Sequence, residues 1–170
     1  MKKIILKLSI ILTSILLLNS CTKKEVTPET GEAAPAFSLK DLNGNSVQLS
    51  DYKGKVVLLF FLGNSCPSCK AVAPGLESTF VKGYANNSNF AILGLDAWDG
   101  DKTAVTAFKS STSVTFPLLL EASDIASNYK VAYDRLVVVD KNGFVRFKGT
   151  QLASNDIGSA KTVVDTYLSK

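Results

Sequence analysis

Cys66 and Cys69 bracket Pro67 and Ser68 in a four-residue run that comes just after seven unbroken apolar residues, Val56 to Leu62, and opens a helically patterned segment. Two thiols at that spacing can cycle between dithiol and disulfide. A thiol at the first turn of a helix faces unpaired backbone N–H groups and the positive end of the helix dipole. Both favour the thiolate, the attacking species in disulfide exchange.

The helical phase tells the two sulfurs apart. Cys69, Val72, Leu76 and Phe80 recur at spacings of three and four, so Cys69 falls on the buried stripe of a helix expected from about Pro67 to Tyr84. Cys66 is left at the exposed mouth, with Pro67 at the first helical position, where a missing N–H costs nothing. Cys66 is therefore expected to attack and Cys69 to resolve. Pro74 removes the bond to the Lys70 carbonyl and predicts a kink.

Two other uses of the pair carry less weight. A structural disulfide closing so short a loop removes only about 2 kcal/mol of unfolded-state entropy, a weak reason to place one there. A zinc site needs more ligands, yet the only other cysteine is Cys21, near the N-terminus, and the chain has no histidine.

A chain of 170 residues, 46% hydrophobic and 20% charged, fits one globular domain with a real core. The first twenty residues stand outside it. Lys2, Lys3 and Lys7 precede and enter an apolar stretch ending Leu16-Leu17-Leu18, followed by small polar residues. That is the layout of a secretory signal, and the run is short for a membrane span of about 20 residues. Leu18-Asn19-Ser20-Cys21 resembles the lipobox of bacterial lipoproteins, in which the signal is cut before the cysteine and that cysteine is lipidated; Asn19 is unusual for that pattern.

The organisation expected is a signal peptide over residues 1–20, a polar linker over 21–30 and one domain over 31–170, lipid-anchored through Cys21 on the extracytoplasmic face of the bacterial envelope. An uncleaved anchor, or a plain secretory signal leaving Cys21 free, also exports the domain. Removing the signal subtracts three lysines and no acid, which takes the formal charge from +4 to +1. The basic balance thus belongs to the signal, and nothing argues for nucleic acid as a partner.

Along the domain, Phe37 to Leu39, an Asn43-Gly44 turn and Val47 to Leu49 read as a hairpin. Val56 to Leu62 and Phe90 to Leu95 read as strands covered on both faces. A helix over Thr103 to Lys109, a strand over Phe116 to Leu120 and a helical turn over Ile125 to Tyr129 follow. Leu136 to Val139 and Phe144 to Phe147 form a second hairpin about Lys141-Asn142-Gly143, and an amphipathic helix over Asp156 to Leu168 closes the chain. This order implies an α/β domain with a mixed central sheet flanked by helices.

With a C-x-x-C at the end of the first central strand, the pattern resembles thioredoxin, and more closely the exported redoxins of the TlpA and ResA type within the AhpC/TSA group. The residues that carry the resemblance are Gly31 to Leu39, Leu49-Ser50-Asp51-Tyr52-Lys53-Gly54-Lys55, the C-x-x-C with Pro74 downstream, Phe116 to Leu120, and Val139-Asp140-Lys141-Asn142-Gly143. The resemblance implies a thioredoxin-like fold with an N-terminal β-hairpin and a central helix–strand insertion over Thr103 to Leu120.

Three departures stand out. Leu62-Gly63-Asn64-Ser65 replaces the family's aromatic residues before the first cysteine, so contacts with a partner should differ. Phe60 occupies the place of thioredoxin's buried, proton-transferring Asp, so another acid or water must serve. Asp134, in Val131-Ala132-Tyr133-Asp134-Arg135, stands where the family carries a cis-proline in its substrate loop. A cis bond outside X-Pro costs roughly 2.5 to 4 kcal/mol, so a trans peptide is expected. An acid there disfavours a nearby thiolate unless Arg135 neutralises it. Asp96 and Asp99, flanking Ala97-Trp98 after the second buried strand, are further candidate proton acceptors.

The function expected is a membrane-anchored thiol–disulfide oxidoreductase. It would act on protein clients such as apocytochrome c, be recharged by an upstream membrane reductase, and need no cofactor beyond the cysteine pair. A thiol peroxidase is one alternative, although Gly63 stands where that pattern places Thr or Ser. A Cu(I) carrier is another, through soft thiolates alone.

Overall fold

The computed structural model describes residues 31–150 and 152–170, so the signal, the linker and Cys21 lie outside the described residues. Gly31–Lys170 forms one compact unit. Its strands, numbered in chain order, are β1 (Glu32–Ala33), β2 (Ser38–Lys40), β3 (Ser46–Gln48), β4 (Val56–Leu62), β5 (Phe90–Asp96), β6 (Leu118–Leu119), β7 (Arg135–Val139) and β8 (Phe144–Lys148). A six-stranded mixed sheet runs β1-β8-β7-β4-β5-β6, and β2-β3 pair separately as the expected hairpin. The helices are α1 (Pro67–Leu76), α2 (Lys102–Thr112), α3 (Ser123–Asn128) and α4 (Ala153–Leu168).

β4 is apolar throughout because it lies mid-sheet, parallel to β5 and antiparallel to β7. Its side chains alternate between two cores. Val56, Leu58, Phe60 and Leu62 pack with residues of α1, α2 and α4, whereas Val57, Leu59 and Phe61 pack with Tyr129 and the side of the sheet that carries the hairpin.

Local chemistry explains where the elements differ from expectation. α1 ends at Leu76 and continues as a wide, π-type turn over Glu77–Lys82, just past Pro74. The buried stripe survives this change, since Cys69, Val72, Leu76 and Phe80 are all buried. The strand expected over Phe116 to Leu120 contracts to Leu118–Leu119; Pro117 has no N–H to give, and its carbonyl accepts from Gly94 N–H at 2.9 Å. α2 starts early because the Asp101 carboxylate accepts from Ala104 N–H at 2.8 Å, and it stops at Ser113, which takes a left-handed conformation. β1, only two residues long, carries no sequence signal.

Three strand ends meet at one pole of the sheet. β4 and β5 run parallel and finish together, Leu62 beside Asp96, while antiparallel β7 begins there with Arg135 beside Phe61. The loops and element ends at this pole carry the described residues singled out for chemistry: Cys66, Cys69, Asp96, Asp99 and the run Tyr133-Asp134-Arg135.

Candidate active site

β4 delivers the chain into a tight turn in which Cys66 N–H donates to the Gly63 carbonyl at 3.0 Å. Cys66 then serves as the N-cap of α1 with extended backbone, and Pro67 takes the first helical position. The Cys66 Sγ accepts from Cys69 N–H at 3.2 Å and lies 3.2 Å from the Ser68 Oγ. A sulfur held this way takes the place of the oxygen of an ordinary N-cap, with the Ser68 hydroxyl beside it. The expectation of an exposed Cys66 needs correction. The turn folds the sulfur against the helix start, leaving 2% of the residue exposed.

Cys69 is fully enclosed, and its Sγ accepts from Gly63 N–H at 3.5 Å. Burial, above all, pushes the Cys69 thiol far above the ordinary range; its hydrogen bond to Cys66 and the nearby charges of Cys66 and Asp134 act in the same direction, and only the Gly63 N–H opposes them. Both cysteines are free thiols.

Asp96 and Asp99 both take their hydrogen bonds from groups other than the cysteines. Asp96 is completely buried, with its Oδ1 accepting from Asn64 N–H at 3.0 Å and its Oδ2 from Gly100 N–H at 2.7 Å and the Asn64 Nδ2 at 3.0 Å. It therefore ties the turn before Cys66 to the loop after β5. Asp99 accepts from Ser123 N–H at 2.9 Å and from the Ser123 hydroxyl at 2.5 Å, at the start of α3. Neither carboxylate bonds to a cysteine, and the geometry lends no support to reading them as proton acceptors.

The facing loop also differs from expectation. Asp134 follows Tyr133, lies one step beyond the Arg135–Phe61 pair of the β4–β7 register and has φ +57°, the left-handed region. There is no cis peptide among the described residues. The Asp134 carboxylate is buried and accepts from Ala153 N–H at 3.0 Å, capping α4 from 19 residues away in sequence. That cap starts the helix at Ala153, ahead of the expected Asp156. Arg135 does not neutralise Asp134, because its Nη1 donates to the Gly149 carbonyl at 2.7 Å.

Residues 30–148 match the AhpC/TSA family. The chain belongs to that family. It is 33% identical over 126 residues to a thioredoxin-like protein, YneN, of Bacillus subtilis, covering 74% of each chain. Against the thiol-disulfide oxidoreductase ResA of Bacillus thuringiensis the identity is 31% over 151 residues, covering 86% of this chain and 81% of the relative. A candidate protein disulfide isomerase from Bacteroides thetaiotaomicron superposes with a TM-score of 0.75 at 30% identity, covering 82% of this chain and 90% of that one. The fold is thioredoxin-like, and the activity is thiol–disulfide oxidoreduction.

Against that family pattern, the residue missed by sequence reasoning is Trp98. The family's aromatic side chain before the first cysteine is absent from the motif, yet a Cβ at Gly63 would stand 2.5 Å from the Trp98 ring. The tryptophan thus packs on the turn from the other side of the sequence, 32 residues from Cys66. Gly63 is the signal that could have revealed it, since a glycine in so apolar a stretch marks a close approach. The Thr or Ser that the peroxidase pattern places there would have to displace the Trp98 ring.

Proposed function

We propose that the chain is an exported, lipid-anchored reductase of protein disulfides in which Cys66 attacks and Cys69 resolves. The observation that carries the assignment of roles is the difference between the two sulfurs. Cys66 Sγ caps the helix start, accepting from Cys69 N–H with the Ser68 hydroxyl beside it, while Cys69 is fully enclosed and its thiol is raised by burial.

The Cys66 thiolate attacks one sulfur of a client disulfide. A Cys66–client bond forms, and the other client sulfur leaves as a thiolate that takes a proton. Cys69 then gives up its proton and attacks the Cys66 sulfur, closing the Cys66–Cys69 disulfide and releasing the second client thiol. Pro67 fixes the helix start and Ser68 supplies the hydroxyl beside Cys66. Two electrons from an upstream membrane dithiol reopen the pair. Anchoring through a lipidated Cys21, cleavage after residue 20 and a linker over 21–30 keep the domain over residues 31–170 near the membrane, where exported proteins such as apocytochrome c present disulfides.

A Cys69→Ser chain expressed in its native cell tests both the chemistry and the address. It should accumulate mixed disulfides through Cys66 in the membrane fraction, with a lipidated Cys21 at its N-terminus. Recovery of the protein without any mixed disulfide, or with an intact Met1, contradicts the corresponding half.

A further inference from the structure

The large hydrophobic side chains exposed among the described residues are Trp98, Tyr133 and Leu152, at 41%, 43% and 45% exposure. All three belong to loops at the dithiol pole. Trp98 follows β5 and packs on Gly63, whose carbonyl receives the Cys66 N–H. Tyr133 precedes β7 and meets Trp98 edge to face, ring centroids 4.7 Å apart. Leu152 directly precedes Ala153, whose N–H is held by Asp134, the residue after Tyr133.

An apolar rim of this kind stands in water at a free-energy cost that covering it recovers, and contiguous exposed apolar patches mark contact sites. It is also rigid. Trp98 N–H points to Asp96 Oδ1 at 3.4 Å, Gly100 N–H to Asp96 Oδ2, and Asp134 is fixed on α4. Meanwhile the left-handed backbone at Asp134 removes the extended stretch on which a client strand would pair through its main chain.

We infer that the Trp98–Tyr133 ridge, flanked by Leu152, selects clients by side chain, binding a bulky apolar residue next to the cystine that Cys66 attacks. This inference rests on the proposed reductase chemistry. The occupant is a client polypeptide because the ridge is continuous with the turn that holds the attacking sulfur. Charge narrows the choice further. Exposed Asp99 and Asp101 follow Trp98, with one exposed cation, Lys102, after them, so the net negative charge of this segment disfavours an acidic neighbour of the cystine.

The test uses the reduced Cys69→Ser full chain and three disulfide-bonded peptides differing only in the residue after the cysteine: Phe, Ser or Asp. Mass spectrometry follows formation of the Cys66 adduct. The Phe peptide should react roughly tenfold faster than the Ser peptide, the upper range of a single aromatic contact, and the Asp peptide slowest. That ratio should fall to within about twofold in Trp98→Ala and Tyr133→Ala and survive in Trp98→Phe. Trp98 is the chain's only tryptophan, so its emission should shift to the blue in the Phe adduct and not in the Ser adduct.

Equal rates for the Phe and Ser peptides, or a preference that persists in both alanine variants, overturn the inference while leaving the chemistry intact. Loss of self-association, rather than of selectivity, in those variants makes the ridge a contact between copies and also overturns it. Failure of every peptide to form a Cys66 adduct removes the attacking-thiol assignment itself, and the inference with it.

Discussion

The turn that carries the cysteines and the loop that faces it occupy the same pole, yet they are held in opposite ways. From Gly63 to Cys69 the two sulfurs are held by near neighbours, with Cys66 N–H to Gly63, Cys69 N–H to Cys66 and Gly63 N–H to Cys69, and the long-range hydrogen bonds of this turn are those from Asn64 to Asp96. The loop at Tyr133-Asp134 is held by distant partners, Ala153 for the Asp134 carboxylate and Trp98 for the Tyr133 ring. A motif built from local bonds keeps its chemistry even when its surroundings change. A loop anchored from afar can lose the family's proline and acquire another job, here the cap of α4.

The largest effect expected from this contrast lies in the turn. Cys66→Ser should bring the reduction of a protein disulfide to the uncatalysed rate, whereas no single substitution at Tyr133 or Asp134 should do so. An insulin-reduction assay on each purified variant separates the two regions, and loss of all activity in Asp134→Ala would erase the distinction.

Asp96→Ala comes next, because it strands the Asn64 and Gly100 N–H donors that now share one buried carboxylate. Denaturant unfolding should show a loss of about 2 kcal/mol, since the two donors are only half-buried and water can replace part of what an unsatisfied buried donor loses, roughly 1 to 3 kcal/mol each. A loss under about 1 kcal/mol would mean that the turn needs no tether to the β5 loop, making it more self-contained than described.

In the facing loop, Asp134→Ala should cost about 1 kcal/mol through the lost cap. Asp134→Pro should cost more, since proline's φ near −65° cannot meet the observed +57°. Restoring the family's residue therefore destabilises this chain. An Asp134→Pro protein as stable as the parent would show that the loop is free to take the family's conformation.

The protonated state of Cys69 gives a pH dependence with a definite sign. Its folded thiol is raised above the ordinary 9.0, so the unfolded chain loses that proton first. The stabilisation is complete below pH 9.0 and declines as pH rises beyond it. Between pH 8 and 10, the reduced wild type should lose stability with a slope of up to roughly 1.4 kcal/mol per pH unit that Cys69→Ala lacks. Tyr129, also raised by burial, adds to the fall only above 10.0 and does so in both proteins. The smallest effect belongs to Asp134→Asn, which removes a minor charge acting on Cys69 and should speed its alkylation slightly.

The sequence showed the local region well and the long-range one poorly. The spacing of Cys69, Val72, Leu76 and Phe80 reveals the buried stripe, and the unbroken run Val56 to Leu62 reveals the central strand, because both depend on neighbours within a few residues. The burial of Cys66 escaped, since helical phase does not describe the turn that precedes a helix. Asp96, Asp99 and Asp134 all looked like candidate acids near thiols. Their real partners, Asn64, Ser123 and Ala153, lie 19 to 32 residues away, and nothing in the spacing of the chain announces them. Trp98 was hidden for the same reason, with Gly63 its one local trace.

Competition between the two thiols for a limiting alkylating agent tests the central claim most directly. The reduced protein at neutral pH is treated with less than one equivalent of iodoacetamide and mapped by mass. The account predicts label on Cys66 with Cys69 almost untouched, and label appearing first on Cys69 would contradict it.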